Sequence, residues 1–188
     1  MTSRIMIPSV LIALLAGSDP SLSGEISMFD FREASASDWI VVNDGVMGGL
    51  SQSEFSDSGE GYASFQGVMS LENNGGFASV RALVPARLPE STQAVVLRVR
   101  GDGRTYQVRF RTDRNFDGIS YMAEFETIVG EWLTVEVPIT SFEPTFRGWT
   151  PRNAPPLAAE EIRQVGLMLA DKRSGPFRLD VQTISVIG

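Results

Sequence analysis

Short stretches of alternating apolar and polar residues recur along most of the chain. In residues 106–112, for example, Tyr106, Val108 and Phe110 alternate with polar or charged residues. A period of two places successive side chains on opposite faces of a β-strand. We therefore predict ten strands, at residues 39–42, 51–55, 62–68, 76–83, 94–100, 106–112, 120–127, 133–138, 164–170 and 177–187.

Turn-forming residues separate many of these strands, as at residues 58–59, 74–75, 102–103 and 113–118. One short helix is predicted at residues 157–163, which follow two prolines and are rich in Ala and Glu. No internal repeat, low-complexity tract or interdomain linker interrupts the pattern. The sequence therefore predicts an all-β fold, a single β-sandwich with one short helix.

A glycine-rich loop at residues 43–51 follows the first predicted strand, and the rest of the chain is organised around it. Its three glycines permit positive φ, and its Asn-Asp pair can hydrogen-bond the backbone just downstream. Val46 and Met47, between the glycines, predict that the loop turns inward. Two interpretations stay open, a binding loop and a tight connection between two strands. The candidate binding residues of this loop are Asn43, Asp44, Gly48 and Gly49.

This loop, together with Trp39 before it, resembles the opening signature of the complex I intermediate-associated protein 30 family. Further motifs of that family follow in the same order, at residues 65–67, 72–81, 100–106, 132, 138, 142–148, 166–172 and 175–177. The resemblance implies a jelly roll of the galactose-binding-domain-like kind. It also implies chaperone-like binding of a partner protein, a respiratory-complex subunit or an assembly intermediate of NADH:ubiquinone oxidoreductase.

Arginines alternate with apolar residues in two consecutive strands. Arg98 and Arg100 share one face of residues 94–100, and Arg109 and Arg111 share one face of residues 106–112. The short connection between these strands is typical of a hairpin, which would set the two rows side by side. Arg81, near the end of another strand, would join them.

Two interpretations of these arginines stay open. They form either a solvated face paired with Glu124, Glu126 or Glu136, or a recognition surface for carboxylates or phosphates. In the second case, residues from separate loops and strand ends would build one polar, partly basic surface. Its candidate residues, besides those of the glycine-rich loop, are Asn73, Asn74, Arg81, Asp102, Arg109 and Arg147.

Aromatic residues offer another way to bind a ligand. Phe146, Trp149 and Tyr121 lie in or beside predicted loops, where an exposed ring would stack on a sugar. We take Trp149 as the candidate binding residue among them. Trp39 and Trp132 have apolar strand neighbours and are predicted to lie in the core.

Composition excludes several kinds of chemistry. The 188 residues contain no cysteine and no histidine, which excludes disulfides, Cys-His and Ser-His-Asp catalysis and His-ligated metal sites. No nucleophile elbow, P-loop or dinucleotide-binding glycine motif is present. A calcium site at Asp44, Asp102 and residues 113–117 is an alternative, although the EF-hand spacing is missing. We predict a protein that is not an enzyme and has no cofactor or metal. Its net charge of −7 argues against nucleic-acid binding.

The first 24 residues have the features of a targeting leader. Arg4 precedes an apolar run at residues 5–16, and small or polar residues follow it. That run is below the roughly 18 residues that a membrane-spanning helix needs, so we predict no stable membrane span. We expect a signal peptide over residues 1–24, one domain over residues 25–188, and export to the periplasm or the medium. A cytoplasmic, membrane-associated location is the alternative.

Export would conflict with a role on the matrix side of mitochondria, which the resemblance implies. The alternative function is therefore a periplasmic or secreted carbohydrate- or envelope-binding module, with a glycan as ligand.

Overall fold

The computed structural model describes residues 12–13, 24–115 and 117–188. In chain order, the strands in these ranges are β1 (Ile12–Ala13), β2 (Ile26–Asp30), β3 (Ile40–Asn43), β4 (Gln52–Asp57), β5 (Ala63–Met69), β6 (Ala78–Leu83), β7 (Ala94–Arg100), β8 (Thr105–Arg111), β9 (Ser120–Glu126), β10 (Trp132–Pro138), β11 (Glu143–Thr145), β12 (Gln164–Leu169) and β13 (Gly175–Ile187). All ten predicted strands are confirmed. The predicted leader, residues 1–24, lies largely outside the described residues, and its boundary stays a prediction.

Two antiparallel sheets form the domain, and together they make the predicted jelly-roll β-sandwich. Sheet A has the strand order β1-β10-β7-β13-β5-β4, and β2 also pairs with β13. Sheet B has the order β11-β9-β8-β12-β6-β3.

The last strand, β13, is central to sheet A. It pairs with β7 along one edge from Asp180 to Ile187. Along its other edge it pairs with β5 as far as Val181 and with β2 from Thr183 onward. One strand therefore joins three others that are far apart in the sequence.

Helical structure in the described ranges is limited to short 3₁₀ helices. They are Ala36–Asp38, Asp44–Met47, Glu72–Asn74, Ile139–Ser141 and Ala159–Glu161. The last of these is the short helix predicted at residues 157–163. No helix in the described ranges is long and apolar enough to cross a membrane.

The core fills the space between the inner faces of the two sheets. Tyr106, Val108 and Phe110 of β8 are fully buried, as are the inward residues of β7 at positions 95, 97 and 99. Trp39 is buried against Phe29 and Phe55, with ring centroids 5.1 and 4.8 Å away. The alternation in the sequence thus separates the core face from the outer face correctly.

The predicted hairpin between β7 and β8 is wrong. β7 pairs with β10 and β13 in sheet A, whereas β8 pairs with β9 and β12 in sheet B. Residues 101–104 therefore carry the chain from one sheet to the other. A Cβ on Gly101 would lie 2.4 Å from the Cβ of Thr127, so the glycine allows the close approach at this corner. The two arginine rows consequently lie on opposite outer faces of the sandwich.

Candidate functional site

Asp44 is the buried centre of the glycine-rich loop. Its carboxylate accepts hydrogen bonds from the backbone N–H and the hydroxyl of Ser51, at 2.9 and 2.6 Å. It also accepts from the N–H groups of Gly76 and Phe77, at 2.6 and 3.3 Å. Asp44 therefore joins its own loop to the loop that precedes β6.

The ionised form of Asp44 is favoured in the folded protein. Burial alone would raise the pKa of its carboxyl, but the hydrogen bonds from Ser51, Gly76 and Phe77 outweigh burial and hold the pKa below its ordinary value. The side chain is fully buried, so its charge stabilises the loops and does not face a ligand.

Two glycines let the backbone wrap around this carboxylate. A Cβ on Gly49 would lie 2.4 Å from the Cγ of Asp44, and a Cβ on Gly75 would lie 2.6 Å from its Oδ2. Gly48 ends the 3₁₀ helix of the loop with a φ of 90°. Close packing therefore explains Gly49 and Gly75, and positive φ explains Gly48, whereas a Cβ on Gly45 would meet nothing within 4 Å.

The apolar side chains of the glycine-rich loop point outward, contrary to the expectation that the loop turns inward. Val46, Met47 and Leu50 are 74%, 65% and 52% exposed. The 3₁₀ helix turns Asp44 into the interior, and the residues that follow it are therefore directed to solvent.

The asparagines of the predicted site lie beside this loop. Asn43 accepts a hydrogen bond from the Ser53 hydroxyl at 2.6 Å. Asn73 and Asn74 are exposed and have φ values of 55° and 59°, the left-handed region that asparagine tolerates better than most residues. They shape the second loop at the same end of the sandwich.

Asp102 holds the corner between the two sheets. Its carboxylate accepts from the N–H of Arg104, the hydroxyl of Tyr106 and the N–H of Arg178, at 3.2, 3.1 and 2.9 Å. Arg104, in turn, forms a buried ion pair with Asp171 at 2.6 Å. The motif residues in this region are thus engaged in contacts within the domain.

The outer face of sheet B carries the arrangement that can bind an anion. Arg81 of β6 and Arg109 of β8 both pair in register with Gly166 of β12, one on each side. Because glycine has no side chain, the two arginines border a cleft of about 50 Å³, which Arg111 also lines. We call this feature the arginine cleft and define it by Arg81, Arg109, Arg111 and Gly166.

Burial in the arginine cleft disfavours the guanidinium charges. Burial, followed by the neighbouring charge of Arg111, lowers the pKa of Arg109 to about 10 and also lowers the pKa of Arg81. Burial lowers the pKa of Arg111 as well, although Asp113 and Asp117 oppose the shift. A bound anion would stabilise the charged forms and raise these pKa values again.

Arg109 forms no ion pair within the described part of the chain. One terminal nitrogen contacts the sulfur of Met168 at 2.9 Å, and its Nε is buried without a hydrogen-bond partner there. Glu124, one of the expected partners, accepts instead from Gln107 at 3.1 Å. Glu136 belongs to β10 of the other sheet. Pairing with these glutamates therefore does not account for Arg109.

The arginines of sheet A have partners of their own. Arg100 forms a salt bridge with Asp180 at 2.7 Å and lies 4.9 Å from the centroid of the Trp132 ring. Arg98 donates to the Thr134 hydroxyl at 3.2 Å. These residues stabilise sheet A and do not join the arginine cleft.

Arg147 and Trp149 lie in the turn that follows β11, at an edge of sheet B. Arg147 forms an ion pair with Asp117 at 2.6 Å, but both side chains are more than 60% exposed, so water screens the pair and it contributes little to stability. Trp149 is 79% exposed, and Phe146 is 37% exposed.

The predicted site residues therefore form three groups. Arg81 and Arg109 meet in the arginine cleft, whereas Arg147 and Trp149 lie near the end of the sandwich where β11 ends. The others belong to the end where β6 begins: Asn43, Asp44, Gly48, Gly49, Asn73, Asn74 and Asp102.

Gly166 is the cleft residue that sequence reasoning missed. The signal was a glycine within a predicted strand, which often marks a close approach of two backbones or a ligand. Here a Cβ would lie 2.8 Å from the carbonyl oxygen of Val80. As for metals, no three acidic side chains in the described ranges come close enough to hold an ion.

Sequence comparison places this fold in a family. Residues 29–181 match the family described as complex I intermediate-associated protein 30. The mouse protein named "Complex I intermediate-associated protein 30, mitochondrial" is 28% identical over 94% of this chain. A probable Caenorhabditis elegans counterpart is 29% identical over 49% of this chain. The chain spans 62% of the mouse protein and 28% of the nematode one.

Solved structures share the fold. A family 11 carbohydrate-binding module from Clostridium thermocellum, in complex with a mixed-linked tetrasaccharide, superimposes with a TM-score of 0.65 at 17% identity, over 88% of this chain and 96% of the module. The agarase AgWH50C superimposes with a TM-score of 0.57 at 12% identity, over 88% of this chain and 25% of that enzyme. At these identities the likeness establishes the β-sandwich only.

The expected export to the periplasm or the medium is wrong. The matching relatives are named mitochondrial proteins, and this finding contradicts export to the periplasm or the medium. The expectation rested on Arg4, the apolar run at residues 5–16 and the small or polar residues after it, and this pattern is too common to specify a destination.

Proposed function

Because the chain belongs to the complex I intermediate-associated protein 30 family, we propose that it is a non-enzymatic binding domain that holds a partner protein during the assembly of respiratory complex I. The proposed action is chaperone-like: the domain covers a surface of a subunit or assembly intermediate until the permanent neighbour of that surface arrives.

The arginine cleft is the observation that carries this proposal. Arg81 and Arg109 flank Gly166, and the pKa of Arg109 is lowered by burial and a neighbouring like charge. A carboxylate of the partner would accept hydrogen bonds from both guanidiniums and offset the cost of burying them. Half-buried arginines of this kind are frequent among the residues that contribute most to protein–protein binding.

The surroundings of the cleft suit a protein partner. Ile40 of β3 and Met122 of β9 occupy the same register row as Arg81 and Arg109. Apolar residues beside a charged centre are typical of protein interfaces. The strands of this face carry no aromatic residue on their outer side, so they lack the stacking platform that a sugar would require.

The remaining predicted residues have supporting roles in this proposal. The loops that Asp44 joins would form one rim of the interface, with exposed Asn73 and Asn74. Arg147 and Trp149 would form the opposite rim.

The test is a double charge reversal in the cleft, Arg81→Glu with Arg109→Glu, in a tagged chain expressed in the native host. Cross-linking followed by mass spectrometry should recover complex I subunits with the unaltered chain and at least tenfold less with the variant. The matched control is Arg152→Glu with Arg173→Glu, which changes the charge equally at exposed positions outside the cleft. Circular dichroism and thermal unfolding confirm that both variants fold.

Two results would contradict the proposal. Equal recovery of complex I subunits with the cleft variant and the unaltered chain would remove the cleft from the interface. Absence of those subunits from the unaltered chain's cross-linked products would remove the assembly role itself.

A further inference from the structure

A second cavity lies where β6 ends and β12 begins. Its volume is about 270 Å³. Residues 84–86 and Ile162 form an apolar wall, and Arg87, Arg114 and Arg163 line the rest. No acidic residue lines this cavity.

Arg163 is held by the strands on both sides of it. Its N–H donates to the carbonyl of Arg111 at 2.8 Å, and its carbonyl accepts from Val84 at 3.0 Å. One terminal nitrogen of its guanidinium donates to the carbonyls of Glu160 and Ile162, each at 2.8 Å. Its Nε and its other terminal nitrogen have no partner among the described residues, so two donors remain for a ligand.

Arg114 projects from a loop that a buried side chain fixes. The amide nitrogen of Gln164 donates to the carbonyls of Asp113 and Asn115, each at 2.9 Å. Gln164 is only 4% exposed. Because it binds the residues on both sides of Arg114, the backbone from which this guanidinium projects is defined.

The charge in this cavity is unbalanced. Arg87, Arg114 and Arg163 form no ion pair with any carboxylate in the part of the chain that the structure describes. Three such arginines around one cavity contrast with a chain whose net charge is −7. Like charges gathered around a cavity repel one another, and an anion between them removes the repulsion.

We propose that this cavity binds the phosphate group of a small soluble ligand, either inorganic phosphate or an organic phosphate monoester, through Arg87, Arg114 and Arg163. One guanidinium group can donate two parallel hydrogen bonds to two phosphate oxygens, and a phosphate monoester carries close to two negative charges at neutral pH. The cavity is smaller than the roughly 300–1,000 Å³ of sites for drug-sized molecules, which favours a compact ligand. The proposal is independent of the partner-binding role of the arginine cleft.

Isothermal titration calorimetry on the full chain tests this proposal, with inorganic phosphate and glycerol 3-phosphate as probes. The double variant Arg87→Gln with Arg114→Gln should bind both probes about tenfold more weakly or worse, since each charged hydrogen bond contributes on that scale. Both side chains are exposed, so the fold should persist. Arg173→Gln, an exposed arginine outside the cavity, is the matched control and should bind normally.

The pH dependence separates phosphate recognition from general anion attraction. Affinity for glycerol 3-phosphate should rise as the pH passes the second pKa of a phosphate monoester, about 6, whereas affinity for sulfate should stay level. Equal affinity of the double variant and the unaltered chain would overturn the proposal. Binding to phosphatidylcholine vesicles that contain phosphatidic acid, without binding to either soluble probe, would overturn it in favour of a lipid headgroup.

Discussion

Replacing Asp44 by asparagine should destabilise the domain more than any comparable change at an exposed aspartate. The amide keeps one oxygen for the N–H of Ser51 but puts an NH₂ group where Oδ2 accepts from Gly76 and Phe77. Two backbone donors then lose their acceptor inside a site that water does not reach. At about 1.5–3 kcal/mol for each hydrogen bond to a charged group, we expect a loss of about 3–6 kcal/mol. That is a large part of the roughly 5–15 kcal/mol by which domains are stable.

Urea unfolding, followed by tryptophan fluorescence and circular dichroism, measures this loss. Asp57→Asn is the matched control, because Asp57 also accepts from a serine hydroxyl and a backbone N–H, those of Ser35 and Ala36. Asp57 is exposed, so water can replace these partners and the cost should be about 1 kcal/mol or less.

The contribution of Asp44 to stability depends on pH with a definite sign. The pKa of Asp44 lies below its ordinary value of 3.8 in the folded protein, so the unfolded chain binds the proton more tightly. The stability that Asp44 contributes is therefore complete well above pH 3.8 and is lost as the pH falls through the folded pKa. Asp44→Asn should remove this part of the acid dependence. The reasoning is refuted if Asp44→Asn costs no more than Asp57→Asn, or leaves the acid dependence unchanged.

Three further changes test other parts of the structure. Arg109→Met should stabilise the domain by about 1–3 kcal/mol at neutral pH, because burial lowers the pKa of Arg109 to about 10 and thus penalises its charged form. In the unaltered protein this penalty should shrink as the pH rises above 10. A destabilised variant would contradict this explanation. Asp171→Asn should cost about 3–5 kcal/mol in urea unfolding, because it leaves buried Arg104 without its carboxylate, and a cost below 1 kcal/mol would show that the pair is dispensable. Gly166→Ala should cost about 1–3 kcal/mol, because its Cβ would lie 2.8 Å from the carbonyl of Val80, and a neutral result would show that β12 moves aside freely.

The strands and the core could be predicted from the sequence because the alternation of apolar and polar residues indicates which face of a strand is buried. Tyr106, Val108 and Phe110 illustrate this, since all three are fully buried. Three of the described strands were not predicted, β1, β2 and β11. The strand β11 has only three residues and includes Pro144, which lacks the N–H that a strand interior uses.

Sheet assignment could not be read in the same way. Period-two alternation says which face of a strand is apolar but not which strand lies beside it. The short connection at residues 101–104 was compatible with a hairpin, yet it turns a corner between sheets. Arg81 and Arg109 come together only because β12, more than fifty residues after β8 in the sequence, inserts between their strands. Arg81 and Arg109 could therefore be predicted from the sequence as site residues, but their position on either side of one cleft could not.

The position of β13 in chain order sets a condition on the synthesis of this domain. Sheet A leaves a gap between β7 and β5 until β13 fills it, and β13 is the last strand of the domain to leave the ribosome. A nascent chain that ends before residue 175 therefore leaves unpaired the edges of β2, β5 and β7 that β13 would cover, and open strand edges are sites for aggregation. Sheet A can therefore close only after β13 has been translated, so the pairing at the centre of this sheet forms late in synthesis.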